Sequence, residues 1–217
     1  MLRIRNLSLP LEFDEISLAR ACARALGVGD SDVTYAKIVR KSVDARRRDQ
    51  VKWVVTADAE VLRGESALLS RENVSPAPEG EGSYSLPRHA SEDRPVVAGF
   101  GPAGMFAAYA LALSGLEPIV LERGKPVEAR SRDVAAFWAG GALDPESNVQ
   151  FGEGGAGAFS DGKLNTGIKD PRCAFILHTL CECGAPEEIL CMAKPHVGTD
   201  KLPGAVRALR EKIIALG

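Results

Sequence analysis

One stretch of this chain restricts its fold more than any other. Val96-Val97-Ala98 is a short buried-strand run, and Gly99-Phe100-Gly101-Pro102-Ala103-Gly104 follows at once, leading into an apolar segment through Leu113. Gly115 can end a helix there, Pro118 to Leu121 can form a second strand, and Glu122 closes it. No charged residue falls between Arg94 and Glu117, so the run from Pro95 to Leu116 has the length and apolarity of a membrane-spanning helix. The glycines inside it argue for strand, turn and helix instead.

Each glycine has a physical task. Gly99 permits the tight turn, Gly101 lets backbone approach a pyrophosphate, and Gly104 lets helix and strand pack closely. Pro102 and Ala103 complete the turn at the helix N-terminus, whose free N–H groups and positive dipole end face phosphate. Glu122, ending the second strand, stands where a carboxylate accepts hydrogen bonds from both hydroxyls of an adenosine ribose, and it disfavours a 2′-phosphate. This order of elements predicts dinucleotide binding. FAD and NAD both present an ADP moiety to such a crevice, so the fingerprint alone leaves both open.

After Glu122 the chain does not alternate short strands and helices as a simple NAD domain does. It enters a polar, glycine-rich excursion: Arg123-Gly124-Lys125, Arg130 to Asp133, then Asn148 to Gly167. The block Gly152-Glu153-Gly154-Gly155-Ala156-Gly157 running to Leu164 offers close backbone approach and several donors, of the kind that wraps a larger cofactor. A mobile surface loop has the same composition.

Residues 1–73 read as a small mixed unit. A strand around Leu2, Ile4 and Leu7 precedes a helix capped by Asp14 and ended by Gly27 and Gly29, with Ile16, Ala19, Ala23 and Leu26 near helical spacing. Two strands follow, Thr34 to Val43 and Val51 to Ala59, the second placing Val51, Trp53, Val55 and Ala57 on one face. From 74 to 94 the text turns to Ser, Pro, Glu and Gly, marked by Pro76, Pro78, Gly80, Gly82 and Pro87, and reads as a linker. Residues 95–217 form the second domain. Its last segment is amphipathic, with Leu202, Val206, Leu209, Ile213 and Leu216 at intervals of four and three.

Gly99 to Gly104 with Glu122-Arg123, then Ser147 to Gly155 running into Phe159-Ser160-Asp161-Gly162-Lys163-Leu164-Asn165-Thr166, and later Pro195-His196-Val197-Gly198-Thr199-Asp200, resemble the family of uncharacterised FAD-dependent dehydrogenases, NAD(FAD)-utilizing dehydrogenase-like flavoproteins. The likeness extends over nearly the whole chain, including Ile38 to Arg46. It implies an α/β protein: a ferredoxin-like (βαββ) plait, then a truncated Rossmann-type FAD/NAD(P)-binding domain. It implies FAD as cofactor, NAD(P)H as a candidate electron donor, and hydride or electron transfer through the flavin. On this resemblance Gly99, Gly101, Gly104 and Glu122 hold the ADP half, Arg123 lies near its phosphates or adenine, and Gly154, Gly155 and Ser160 lie nearer the flavin. Family members continue through further strands and a flavin-covering region, and a doubly wound sheet calls for a strand after the last helix. The expectation is therefore the N-terminal portion of a longer flavoprotein, inactive alone.

His196, in a loop context before the last helix, is the acid–base candidate, against the plainer role of fixing that loop. Asp161 and Lys163 are candidates for flavin or substrate contact, against a solvated pair. Trp53 and Trp138 read as packing residues. Cys173, Cys181, Cys183 and Cys191 with His178 and His196 contain no CxxC pair and match no zinc spacing, so no metal is expected. Five cysteines, an odd count, and no continuous apolar run between Met1 and Phe13 point to a reducing cytoplasm. A formal charge of −2 gives no chain-wide basic footprint and no expectation of DNA. Lys37 to Lys52 does carry seven basic residues against Asp44 and Asp49, but only Tyr35 and Trp53 stand nearby as stacking aromatics, which weighs against RNA. Substrate and redox partner are not legible. Two rivals remain: a nucleotide-binding sensor or RNA-associated module with structural FAD, and an NAD-linked dehydrogenase without flavin.

Overall fold

The structure, a computed structural model, describes residues 1–62, 64–78 and 84–217. Gly80 and Gly82 of the expected linker lie outside the described residues. The protein is mixed α/β, with one antiparallel and one small parallel sheet. It divides into two units, Met1–Glu81 with Leu190–Pro195, and Gly82–Ile189 with His196–Gly217.

In the first unit β1 (Leu2–Leu9), α1 (Glu15–Leu26), β2 (Val33–Asp44) and β3 (Lys52–Val61) follow the βαββ order of the sequence reading. A single-turn helix α2 (Glu65–Leu68) and a short strand β4 (Val74–Pro76) come next, and the sheet runs β2-β3-β1-β4 with each neighbouring pair antiparallel. β4 occupies the first three residues of the span assigned to a linker; it is too short, and ends on a proline, to show alternation. Asp14 accepts the Ser17 N–H at 2.8 Å, and Gly27, at φ 61°, donates to Ala23 and Arg24, so side chain and turn close the two ends of α1.

The apolar face of α1 packs Leu18, Cys22 and Leu26 against Leu2, Ile4, Leu7, Leu9, Val55, Ala57 and Ala59. Leu2 and Ile4 are even-numbered, Leu7 and Leu9 odd, and a regular strand cannot turn both pairs to one face. The register shift between Ile4 and Leu7, with Asn6 at φ 61°, inserts the extra residue that realigns them. On the other face Arg3 donates from Nε and Nη to both oxygens of its cross-strand partner Asp58, at 2.8 and 2.9 Å. Residues 190–195 also join this unit: Lys41 of β2 donates to the Cys191 carbonyl and accepts from the Ala193 N–H. The sequence reading gave that segment to the second domain.

In the second unit β5 (Val96–Ala98) and β6 (Ile119–Leu121) pair in parallel, Val96 opposite Ile119 and Ala98 opposite Leu121, joined by α3 (Pro102–Leu113). Helices α4 (Val127–Trp138), α5 (Pro171–Glu182) and α6 (Leu202–Ala215) complete it. α6 packs against α3 and α4 through Ala205, Val206, Leu209 and Ile213, which join Met105, Ala108, Tyr109 and Val127 in the main core. Leu216, expected on that apolar face, is exposed at the helix end, and Trp138, expected to pack, is 64% exposed with its ring edge-on to Phe159. The sheet is covered through Val97 and Val120. Its other face exposes Val96 (60%) and Leu121 (57%). Among the described residues no helix is long and apolar enough to cross a membrane, because the run from Pro95 divides into β5, a turn and α3.

Candidate functional site

The turn between β5 and α3 is built by its glycines. Gly99 sits at φ 94°, which L side chains rarely adopt. A Cβ on Gly104 would lie 2.0 Å from the Gly99 carbonyl oxygen, so the helix can lie on the strand end only without one. Gly101 is the extended residue before α3, at φ −76° and ψ −176°; it offers no capping side chain, and Pro102 behind it has no N–H. The first turn of α3 therefore carries donors that no side chain caps. A Cβ on Gly101 would meet only Gly155 Cα, in ordinary van der Waals contact at 3.8 Å.

Glu122 follows β6, and its carboxylate is tied to the glycine turn. One oxygen accepts the Phe100 N–H at 2.6 Å and the other the Gly124 N–H at 2.7 Å. Each carboxylate oxygen has a second lone pair, so this clamp leaves capacity for a hydroxyl on each.

The second glycine block docks on the first. Gly154 donates to the Phe100 carbonyl at 2.8 Å, and a Cβ on Gly155 would fall 3.1 Å from Pro102 Cδ and 3.4 Å from Gly101 Cα. The two glycine segments, separate in sequence, thus share one cradle at the N-terminus of α3. Behind the second block lies Arg130 of α4, 0% exposed. Its Nε donates to Asn148 O at 3.1 Å and one Nη to Glu153 O at 2.6 Å and Gly155 O at 3.0 Å, while the guanidinium lies 4.8 Å from the Phe159 ring centre. Its other Nη is buried with no hydrogen-bond partner. Burial lowers the Arg130 pKa from its usual value, opposed by the charges of Glu122 and Glu153.

Glu153, 3% exposed, caps α4 by accepting the Val127 N–H at 2.6 Å and pairs with Arg210 of α6 at 2.6 Å; its second oxygen is buried without a partner. Burial holds its carboxyl above the usual range despite Arg210. Glu128, which takes the other arm of Arg210, is held below that range by the same guanidinium. A cavity of about 530 Å³ borders this group, walled by Phe100, Val120, Glu122, Glu153, Arg210 and Ile213.

The remaining sequence candidates lie apart from this cradle or at its margin. Arg123 is exposed, paired with Glu146 at 3.0 Å and stacked on Phe151 at 4.7 Å. Ser160 donates to Gly157 O at 2.9 Å and is exposed. His196 does meet Lys163: the two residues form an antiparallel bridge, Val197 N–H donates to Gly162 O, and Asp161 pairs with Lys163 at 2.6 Å. Lys163, and more weakly His196, hold the Asp161 carboxyl below the usual range; all three side chains are exposed.

Arg130 and Glu153 were missed as site residues. Arg130 had a signal, because it interrupts the stripe Val127, Arg130, Val134 where an apolar residue belongs. Glu153 had one too, as the acid inside a glycine block. Among the described residues no three His, Cys, Asp or Glu side chains converge as a metal-holding group, and the five thiols are free.

Residues 1–60 match a family described as a domain of unknown function, DUF8436. An uncharacterized protein of Clostridium beijerinckii is 46% identical over 220 residues, in an alignment that takes in all of this chain and 41% of that protein. The chain thus spans about two-fifths of the length of the curated relative it matches.

Proposed function

We propose that the second unit binds the ADP half of FAD and that the chain forms part of an FAD-dependent oxidoreductase. The observation that carries this reading is the cradle: a Gly104 that admits no Cβ beside Gly99, an uncapped α3 N-terminus at Gly101, and the Glu122 carboxylate at the end of the parallel strand. On this reading the second unit is a Rossmann-type domain, and strand order β2-β3-β1-β4 supports a ferredoxin-like plait for the first. The α3 N–H groups take the pyrophosphate and Glu122 takes the ribose hydroxyls. Bound flavin would supply the hydride or electron chemistry, with NAD(P)H as donor. His196 would be the proton carrier, its backbone bridged to Lys163 where the 160–164 and 195–200 loops meet. Arg123, turned to Glu146, is assigned to neither phosphate nor adenine.

An NAD-linked enzyme without flavin uses the same first cradle. The docking of Gly154 on Phe100 favours FAD, because a second backbone segment at the phosphates suits the larger cofactor. The RNA-associated reading is weakened by Trp53, which packs against the core of the first unit, donates its indole N–H to Leu11 O and carries Lys41 over its ring. A cytoplasmic setting belongs to the same proposal.

Calorimetric titration of the purified chain with FAD, ADP, NAD and adenosine tests the reading. Binding of FAD and ADP, with FAD tighter than NAD and both lost in Glu122→Arg, supports it. Binding of NAD alone, or of none of the four, contradicts it.

A further inference from the structure

Arg130 is buried, charged, and hydrogen-bonded to three main-chain carbonyls, a costly arrangement for a helix side chain that an apolar residue could replace. Its geometry accounts for that cost. In a trans peptide the C=O of one residue and the N–H of the next point in opposite directions, and among the described residues no peptide is cis. Drawing Glu153 O onto Arg130 therefore turns the Gly154 N–H the other way, and that N–H is found donating to Phe100 O in the first glycine turn. Drawing Gly155 O onto the same Nη turns the Ala156 N–H away from Arg130 in the same manner. Gly155 is the residue that lies against Gly101 and Pro102 at the open end of α3. Ala156 is exposed and opens a 3-10 turn, Ala156–Phe159, whose first N–H groups have no acceptor within the turn.

We infer that Arg130 is a positioning residue for phosphate: by pinning two carbonyls of the second glycine block, it presents the Ala156 N–H to the phosphates of a nucleotide held at the α3 N-terminus. The inference rests on the proposed function and deepens it. Arg130 does not touch the ligand. It acts through two peptide planes, with its charge behind them reinforcing an anion in front. Lysine keeps the charge but offers its donors from a single freely rotating atom, so it does not reproduce the fixed spacing by which Nε holds Asn148 O and one Nη holds the other two carbonyls.

The test compares ADP with adenosine, which share the ribose and base but differ in phosphate, on the full chain and on Arg130→Lys and Arg130→Met. Both affinities are read by calorimetry and the Ala156 amide by ¹H–¹⁵N correlation spectra, with circular dichroism to report folding. The expected result is an ADP affinity lowered about tenfold or more in Arg130→Lys, or about 1.4 kcal/mol, with adenosine affinity unchanged. The Ala156 amide should move downfield with ADP and not with adenosine in the unaltered chain, and this response should be absent in Arg130→Lys. Equal losses for both ligands would mean a purely structural arginine, and an unmoved Ala156 amide in the unaltered chain would overturn the inference even where Arg130→Met fails to fold. Unaltered protein that binds neither ligand overturns the proposed function and this inference together; protein that binds both, with an ADP preference indifferent to Arg130, overturns this inference alone.

Discussion

The first long helix of each unit begins in the opposite way. α1 opens on Asp14, whose carboxylate accepts the Ser17 N–H, and is closed by a left-handed Gly27; its polar ends are satisfied within the chain. α3 opens on Gly101, with no side chain to give, and its first donors face an open cradle. The same contrast runs through both cores. The first unit packs leucines, valines and alanines on one sheet face, and its buried charges, Arg3 and Asp58 on the other face, bond to each other through both carboxylate oxygens. The second unit adds to its core a buried arginine, a buried glutamate and backbone-to-backbone glycine contacts around a two-stranded sheet with one apolar face exposed. A helix end sealed by its own sequence stabilises the fold, whereas the unsealed end of α3 is, on the proposed reading, where phosphate would bind.

Four substitutions probe that contrast, in descending order of effect. Leu26→Ala empties a fully buried site in the first unit and should cost about 3 to 4 kcal/mol; hydrogen exchange should speed up across α1 and β1 while ADP binding is kept. Gly104→Ala forces a Cβ to within 2.0 Å of Gly99 O, should cost about 3 kcal/mol, and should do the reverse: faster exchange in β5 and α3, lost ADP binding, and unchanged protection in β3. Asp14→Ala removes the α1 cap for about 1 kcal/mol, seen as a lower urea midpoint with ADP affinity untouched.

The smallest effect concerns pH. Burial places the folded Glu153 pKa above its ordinary 4.5, so the folded state binds that proton more tightly than the unfolded one. The stability contributed by protonated Glu153 is full below that ordinary value and is lost as pH rises through the folded pKa. Glu128 runs the other way, its contribution being lost as pH falls through its lowered folded pKa. Glu153→Gln should therefore flatten the fall in urea midpoint with rising pH above 4.5, and an unchanged slope would remove Glu153 from the account of the second unit.

Much of this contrast could be read in the residues, and what was hidden has definite causes. The strands and helices of the first unit follow from alternation and caps, and the parity change from Leu2 and Ile4 to Leu7 and Leu9 is itself written in the apolar positions; what they do not mark is which residue takes up the shift, Asn6 at φ 61°. β4 and residues 190–195 are too short to carry periodicity and are ordered by the strands they meet, β1 and β2. In the second unit the glycine spacing located β5, α3 and β6 because each glycine answers a local steric demand. The meeting of Gly154 with Phe100, and of His196 with Lys163, depends on chain segments brought together only by folding. Glu122 was expected to face a ribose; its clamp on Phe100 and Gly124 needed coordinates, since backbone donors leave no signature in sequence.

The open α3 N-terminus is tested most directly by Gly101→Asp, with ADP affinity and thermal midpoint measured side by side on the variant and the unaltered chain. The φ and ψ of Gly101 suit an L residue, and the nearest atom to a new Cβ is 3.8 Å away, so the aspartate can cap α3 as Asp14 caps α1. The expected result is a midpoint equal or higher together with ADP binding weakened by about a hundredfold or more, as a carboxylate takes the phosphate's place. A variant that binds ADP as well as the unaltered chain would contradict the assignment of that helix end to phosphate.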